Sequence, residues 1–99
     1  MNPVTIPLQT PVKTPRGMES ALTLRVMTAK DLRQAGYPFI IRQDGNTEVI
    51  SANVAAMIAL LASVPMAVVD GLTPAEFNAG TLAILSFFRS AGSDEIPLT

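Results

Sequence analysis

Twenty-one consecutive residues, Val49 to Val69, carry no charge, and 17 of them are apolar. A run of that length must either cross a bilayer or be hidden inside a fold. Six of its residues are Ala, nearly neutral for membrane insertion, and Ser51, Asn53, Ser63 and Pro65 interrupt it. Aromatic anchors are missing from both ends. The expectation is a buried helix, with no membrane span. Ile50, Val54, Met57, Ile58 and Leu61 recur at i, i+4, i+7, i+8 and i+11, one stripe of a helix over about 51–62. The opposite face, Ala52, Ala55, Ala56, Ala59 and Ala62, lacks the charges of ordinary helix surface. It reads equally as weakly exposed surface or as a smooth side for a neighbouring helix.

The first quarter of the chain has a different period. "VTIPLQTPV" (4–12) alternates apolar and polar residues, with Pro7 and Pro11 restricting it to an edge strand or extended arm. "KTPRG" (13–17) reads as a turn. "SALTLRV" alternates again, with Leu22, Leu24 and Val26 on one face, so residues 4–27 form a predicted β-hairpin. Thr28 then caps a short helix over 28–35, Asp31 closes a capping box, and Met27 can staple to Leu32. Gly36 and Tyr37-Pro38 stop that helix. Asp44-Gly45 makes 37–50 a loop or a second small hairpin.

Beyond the central run, "VPMAVVDGL" predicts one or two helical turns between Pro65 and Gly71. "LTPAEF" is the strongest local signal. Thr73 caps, Pro74 takes the first helical position, Glu76 closes the box, and Leu72 staples to Phe77. The last helix runs to about Ser90. Phe77, Ile84, Leu85 and Phe88 form its main stripe, and Leu82 and Phe87 flank it, so the apolar arc is wider than one core contact requires. Either a small core wraps this helix from two sides, or one flank meets a partner. Residues 91–99 read as a polar tail in which Asp94-Glu95 is solvated surface. The expected fold class is α+β in one domain: an N-terminal β-hairpin followed by a small bundle of three to four helices, with 51–90 its apolar helical part.

Composition narrows the function. Only 15% of residues are charged, against a usual quarter, so some apolar surface is expected to be covered by a second copy or a partner. The chain has no His and no Cys, which excludes disulfides, thiolate or histidine metal sites and Ser-His or Cys-His pairs. No phosphate loop or dinucleotide fingerprint occurs, and no cofactor is expected. The Thr28/Asp31 and Thr73/Glu76 pairs are explained by capping alone. Arg25, at a strand end, is either a partner contact or the mate of a neighbouring carboxylate. Residues 1–43 carry a net +4 and residues 44–99 a net −5, a division that suits two solvated faces or the steering of a partner. The cations are scattered, with only Tyr37 and Phe39 among them for base stacking, so a nucleic-acid partner is not expected. "MNPVTIPLQTPVK" is broken by prolines and does not read as a signal peptide.

"IPLQTPV", a turn with Gly17, and "LTLRVMTAKDL" together resemble the opening of small tail assembly chaperones from contractile-tailed phages and prophages, the Mu-like and P2-like group. "VAAMIALLASVPMAVVDGLTPAEFNAGTLAILSFF" is similar to that family's apolar helix, turn, "PAEF" helix start and final apolar helix ending in "FF". The likeness covers about 4–35 and 49–88 and lies in the order of the pieces. Met27 stands where Pro is usual, and "SVP" stands where "TGLP" or "GIP" is common. The resemblance implies a non-enzymatic protein of the bacterial host cytoplasm. It would bind the helical tape-measure protein until tube subunits polymerise around it, and be absent from the finished virion. A frameshift-extended form of the same chain is a further implied partner, and a homo-oligomer is expected. Met57, Leu60, Leu82, Leu85, Phe87 and Phe88 are the candidate residues for partner or self contact. The competing reading is a small structural subunit or adaptor retained in a tail or other assembly. A DNA binder would need a basic recognition helix, which residues 29–35 are too short and too mixed in charge to supply.

Overall fold

Alternation at the start of the chain produces a long antiparallel hairpin. The computed structural model describes residues 2–91. β1 (Val4–Thr14) pairs with β2 (Gly17–Leu24), with Val4 opposite Leu24, Ile6 opposite Leu22 and Thr14 opposite Gly17. The period of two sends Ile6, Leu22 and Leu24 into the core and leaves Thr5 and Thr23 outside. The turn is shorter than the sequence suggests: only Pro15 and Arg16 lie between the strands, and Gly17 takes the positive φ of 115°. β2 also stops at Leu24, not Val26, because the Arg25 N–H leaves the ladder and donates to the Leu61 carbonyl at 3.2 Å.

Between Pro7 and Val12 the register slips, so residues 8–11 of β1 face Ser20 alone. Pro11 has no N–H to give a ladder and sits inside this irregularity. The slip also frees the Gln9 N–H, which donates to Glu76 Oε2 at 2.8 Å, 67 residues on.

α1 (Ala29–Ala35) starts with the expected box. Thr28 Oγ1 accepts from the Asp31 N–H at 3.4 Å, and the Thr28 N–H donates to Asp31 Oδ2 at 2.8 Å. Asp31 also receives both Arg25 terminal nitrogens, each at 2.8 Å, although it is only 3% exposed. The Arg25 guanidinium, helped by the Thr28 N–H and hydroxyl, overcomes burial and holds the Asp31 carboxyl far below the usual carboxylate range. Gly36, at φ 87°, ends the helix by donating to the Leu32 carbonyl at 2.8 Å. The 37–50 segment resolves as a hairpin, β3 (Phe39–Ile41) with β4 (Thr47–Val49).

α2 (Ser51–Ala62) buries the expected stripe: Val54, Met57, Ile58 and Leu61 lie against Ile6, Leu22, Leu24, Ile84 and Phe87. Its alanine side is mixed. Ala62 is buried, Ala55 and Ala59 pack at the core edge, and Ala52 is exposed. Having no basic residue in its last turn, α2 is terminated by the hairpin instead. The Val64 and Ser63 N–H groups return to Ala59 and Leu60, and Arg25 supplies the donor for Leu61. Arg16 donates through Nη2 to the Ala62 carbonyl at 3.0 Å and through Nη1 to Ser63 at 3.2 Å. Thus every orphan carbonyl of this helix end has a donor, and a cation lies at its negative pole.

α3 (Met66–Asp70) follows Pro65, and α4 (Pro74–Ala91) follows the second capping box, where Glu76 Oε1 accepts from the Thr73 N–H at 2.8 Å. α4 crosses the core at Gly80. A Cβ there would stand 2.6 Å from Ile58 Cδ1 and 3.5 Å from Ile6 Cδ1, so any larger residue would have to displace the Ile58 side chain for the three elements to meet this closely.

Three stability measurements follow from this packing. Ser63 is exposed and left-handed at φ 56°, so Ser63→Gly should raise unfolding free energy by about 0.5–1 kcal/mol in urea titrations. Gly80→Ala gains about 1 kcal/mol of helix propensity but meets a fully buried Ile58, and overpacking of about 1–3 kcal/mol should leave a net loss of Tm. Asp31 has a depressed folded pKa, so its contribution is complete above the unfolded value of about 4 and disappears as pH falls below it. Asp31→Asn should therefore be less stable than the parent at pH 7, with the difference narrowing as pH is lowered from 4 towards 2.

Candidate interaction surface

The register of β3–β4 sorts its side chains. Phe39 pairs with Val49 and Ile41 with Thr47 on one face, while Ile40 pairs with Glu48 on the other, where Arg42 and Glu48 form an ion pair. The ribbon is held in place at its base. Ile50 N–H donates to the Pro38 carbonyl at 2.8 Å, and Asn53 Nδ2 donates to the Tyr37 carbonyl at 2.8 Å. Asn53 also lies so close to Gly36 that a Cβ on that residue would be 2.8 Å from its amide nitrogen. The turn, the ribbon and the first turns of α2 are therefore one fixed corner.

The apolar face of the ribbon looks onto the last turns of α4. Phe88 meets Phe39 edge-on with centroids 4.9 Å apart, and Tyr37 in a tilted pair at 6.3 Å. Beside these contacts lies a groove of about 560 Å³, lined by Phe39, Ile41, Thr47, Leu82, Leu85, Phe88 and Arg89. Its walls are apolar and exposed: Leu82 is 58% exposed and Ile41 39%. Tyr37, Ile40 and Val49 extend the exposed apolar surface around it. Among the described residues that line the groove, Arg89 is the charged one. The ion pairs among the described residues, Arg16–Glu19, Arg25–Asp31 and Arg42–Glu48, do not involve Arg89.

The six candidate contact residues separate on this geometry. Met57 and Phe87 are core, at 0% and 3% exposure, with no surface to offer a partner in this conformation. Leu82, Leu85 and Phe88 come together in the groove, Leu82 exposed and the other two half-buried. Leu60 is half-buried on α2 and is not among the groove residues. Phe39 and Ile41 were not among those six candidates, although "YPFII" before a Gly turn alternates two apolar faces. The signal was there, but only the pairing with β4 says which face looks at α4.

The polar clusters elsewhere are structural. Glu76 accepts from Thr73 and Gln9, and these N–H groups hold its carboxyl below the ordinary range. Arg25 takes the expected neighbouring carboxylate, Asp31. Among the described residues no three His, Cys, Asp or Glu side chains gather as a metal site, and no helix is long and apolar enough to cross a membrane.

Comparison with known families gives this surface its context. The family model of phage tail assembly chaperone proteins, described as "E, or 41 or 14", matches residues 5–88. Neither a curated protein nor a solved structure matches the chain. The match begins in β1 and ends at Phe88, so it spans the hairpin, the helical core and the groove wall on α4. The chain belongs to the phage tail assembly chaperone family.

Proposed function

We propose that this chain holds the tape-measure protein during tail assembly, by seating an apolar face of that helical protein in the groove between β3–β4 and α4. The exposed apolar groove on a fixed corner is the observation that carries this reading. An amphipathic helix laid into such a groove is bound by burial of a few apolar anchors and needs no reactive group. Leu82, Leu85 and Phe88 supply one wall, and Phe39 and Ile41 the other. The role is non-enzymatic, belongs to the host cytoplasm, and ends before the virion is complete. A second copy, or a frameshift-extended form of the chain, meets the same face when the tape-measure protein is lacking.

Co-expression with the tape-measure protein of the same genome, followed by affinity capture and sizing, tests this directly. The parent chain should copurify and keep its partner soluble. Leu82 is mostly exposed, so Leu82→Glu should leave folding intact, while putting a charge on the groove wall should weaken capture about tenfold or more. Capture unchanged by Leu82→Glu would move the contact off this surface. Stoichiometric presence of the chain in purified particles would instead favour a retained structural subunit.

A further inference from the structure

The β3–β4 ribbon has two edges, and among the described residues β3 pairs with β4 alone. The bonds from Ile50 N–H to the Pro38 carbonyl and from Arg42 N–H to the Asn46 carbonyl fix its ladder, so the backbone groups of Ile40 face Glu48. Those of Phe39 and Ile41 therefore point away from β4, along the outer edge of β3. We propose that this edge is a self-association site. β3 of one copy pairs antiparallel with β3 of a second, about a two-fold axis at Ile40, and the two ribbons become one four-stranded sheet. The inference goes beyond the groove reading, because the edge uses the backbone of Phe39 and Ile41 and leaves their side chains on the groove.

The register selects a second copy as the occupant. With Phe39 opposite Ile41 of the second copy, and the reverse, each pair exchanges two N–H···O bonds, and Ile40 meets its own counterpart between them. Phe39-Ile40-Ile41 carries no charge, and Ile40, 47% exposed, is covered by an identical apolar side chain. The other edge lacks this property. Pairing β4 with itself sets Glu48 against Glu48, like charges directly opposite. There is also room beside β3, where a hollow of about 550 Å³ is lined by the consecutive residues Ile40 to Asp44. β1 shows how this chain protects an edge, with Pro7, Pro11 and a slipped register, and β3 has no such device between Phe39 and Ile41. A ribbon of two three-residue strands is marginal alone, and pairing two of them relieves that weakness.

The chain has no cysteine, so a single introduced cysteine reports whether a position meets its own counterpart. Ile40→Cys, Glu48→Cys and Leu82→Cys, each in the full chain, are oxidised separately with glutathione, and the covalent dimer is followed by non-reducing electrophoresis. About the two-fold axis the Cα atoms of position 40 stand about 4.5 Å apart, within disulfide reach. Those of position 48, three strand spacings away, stand about 14 Å apart, beyond it. All three positions are exposed, so Ile40→Cys should link about tenfold faster than either control on geometry alone. Equal rates would overturn the proposal. Faster linkage at position 48 would move the contact to β4, and at position 82 would place the groove between the copies; either result overturns it. Sedimentation gives a second reading without a cysteine. An interface this small is weak, so the parent should dimerise as concentration rises. Ile40→Lys sets like charges across the axis while facing Glu48 within its own ribbon, and should raise the midpoint about tenfold or more. A parent that stays monomeric at millimolar concentration, or association unchanged by Ile40→Lys, would overturn the edge pairing. Ile40 does not line the groove, so tape-measure capture by the Ile40→Lys chain tests the groove reading separately.

Discussion

The C-terminal end of α2 is the junction on which the rest of this structure depends. A helix end exposes carbonyls that require donors and a partial negative charge that favours a cation. The central helix has no basic residue in its last turn, and its own C-cap turn reaches only the Ala59 and Leu60 carbonyls, leaving Leu61 and Ala62. The N-terminal hairpin supplies the missing donors and the cation, through the Arg25 backbone N–H and the Arg16 guanidinium. That one docking fixes where β2 ends, aims Arg25 at Asp31, and presses Ile6, Leu22 and Leu24 onto the α2 stripe. The order of hairpin and helix along the chain thereby becomes an arrangement in space.

The two capping boxes extend the same economy. Each carboxylate closes its own helix and also accepts from another element, Glu76 with a separate oxygen for each task and Asp31 with Oδ2 shared between them. Asp31 ties α1 to the end of β2 through Arg25, and Glu76 ties α4 to the irregular stretch of β1 through Gln9. A chain with so few charges has placed two buried carboxylates where each satisfies groups from two elements. Because buried polar atoms are costly when unpaired, these ties specify the fold as well as stabilise it. None of the buried side-chain polar atoms among the described residues lacks a hydrogen-bond partner.

This frame leaves one corner apolar and open. Gly80 lets α4 lie close on Ile58 and Ile6, which commits Ile84 and Phe87 to the core and turns Leu82 and Phe88 towards β3–β4. The small ribbon adds Phe39 and Ile41 as the facing wall. A two-stranded ribbon of three-residue strands is marginal alone, and here the Asn53 and Ile50 hydrogen bonds anchor its base while the Phe39–Phe88 contact steadies its face. A rigid frame with an exposed apolar groove is suited to holding another protein reversibly, in keeping with a family of tail assembly chaperones.

The amino-acid sequence by itself determined the local elements. Period-two alternation wrote the first hairpin, Thr28/Asp31 and Thr73/Glu76 wrote the two helix starts, and the Val54–Leu61 stripe wrote the buried side of α2. All of these are short-range effects, decided by neighbours within about four residues. Only the tertiary structure decided the partition of the apolar residues on α4 and the identity of the groove. Phe87 and Phe88 are adjacent and chemically identical, yet one is core and the other a groove wall. The periodicity put Phe88 in the main stripe and Phe87 on its flank, the reverse of their places in the fold, because that division depends on how closely Gly80 brings α4 to Ile58 and on which face of β3–β4 turns towards it. Both are set by contacts between residues far apart in the chain, where local pattern carries no information.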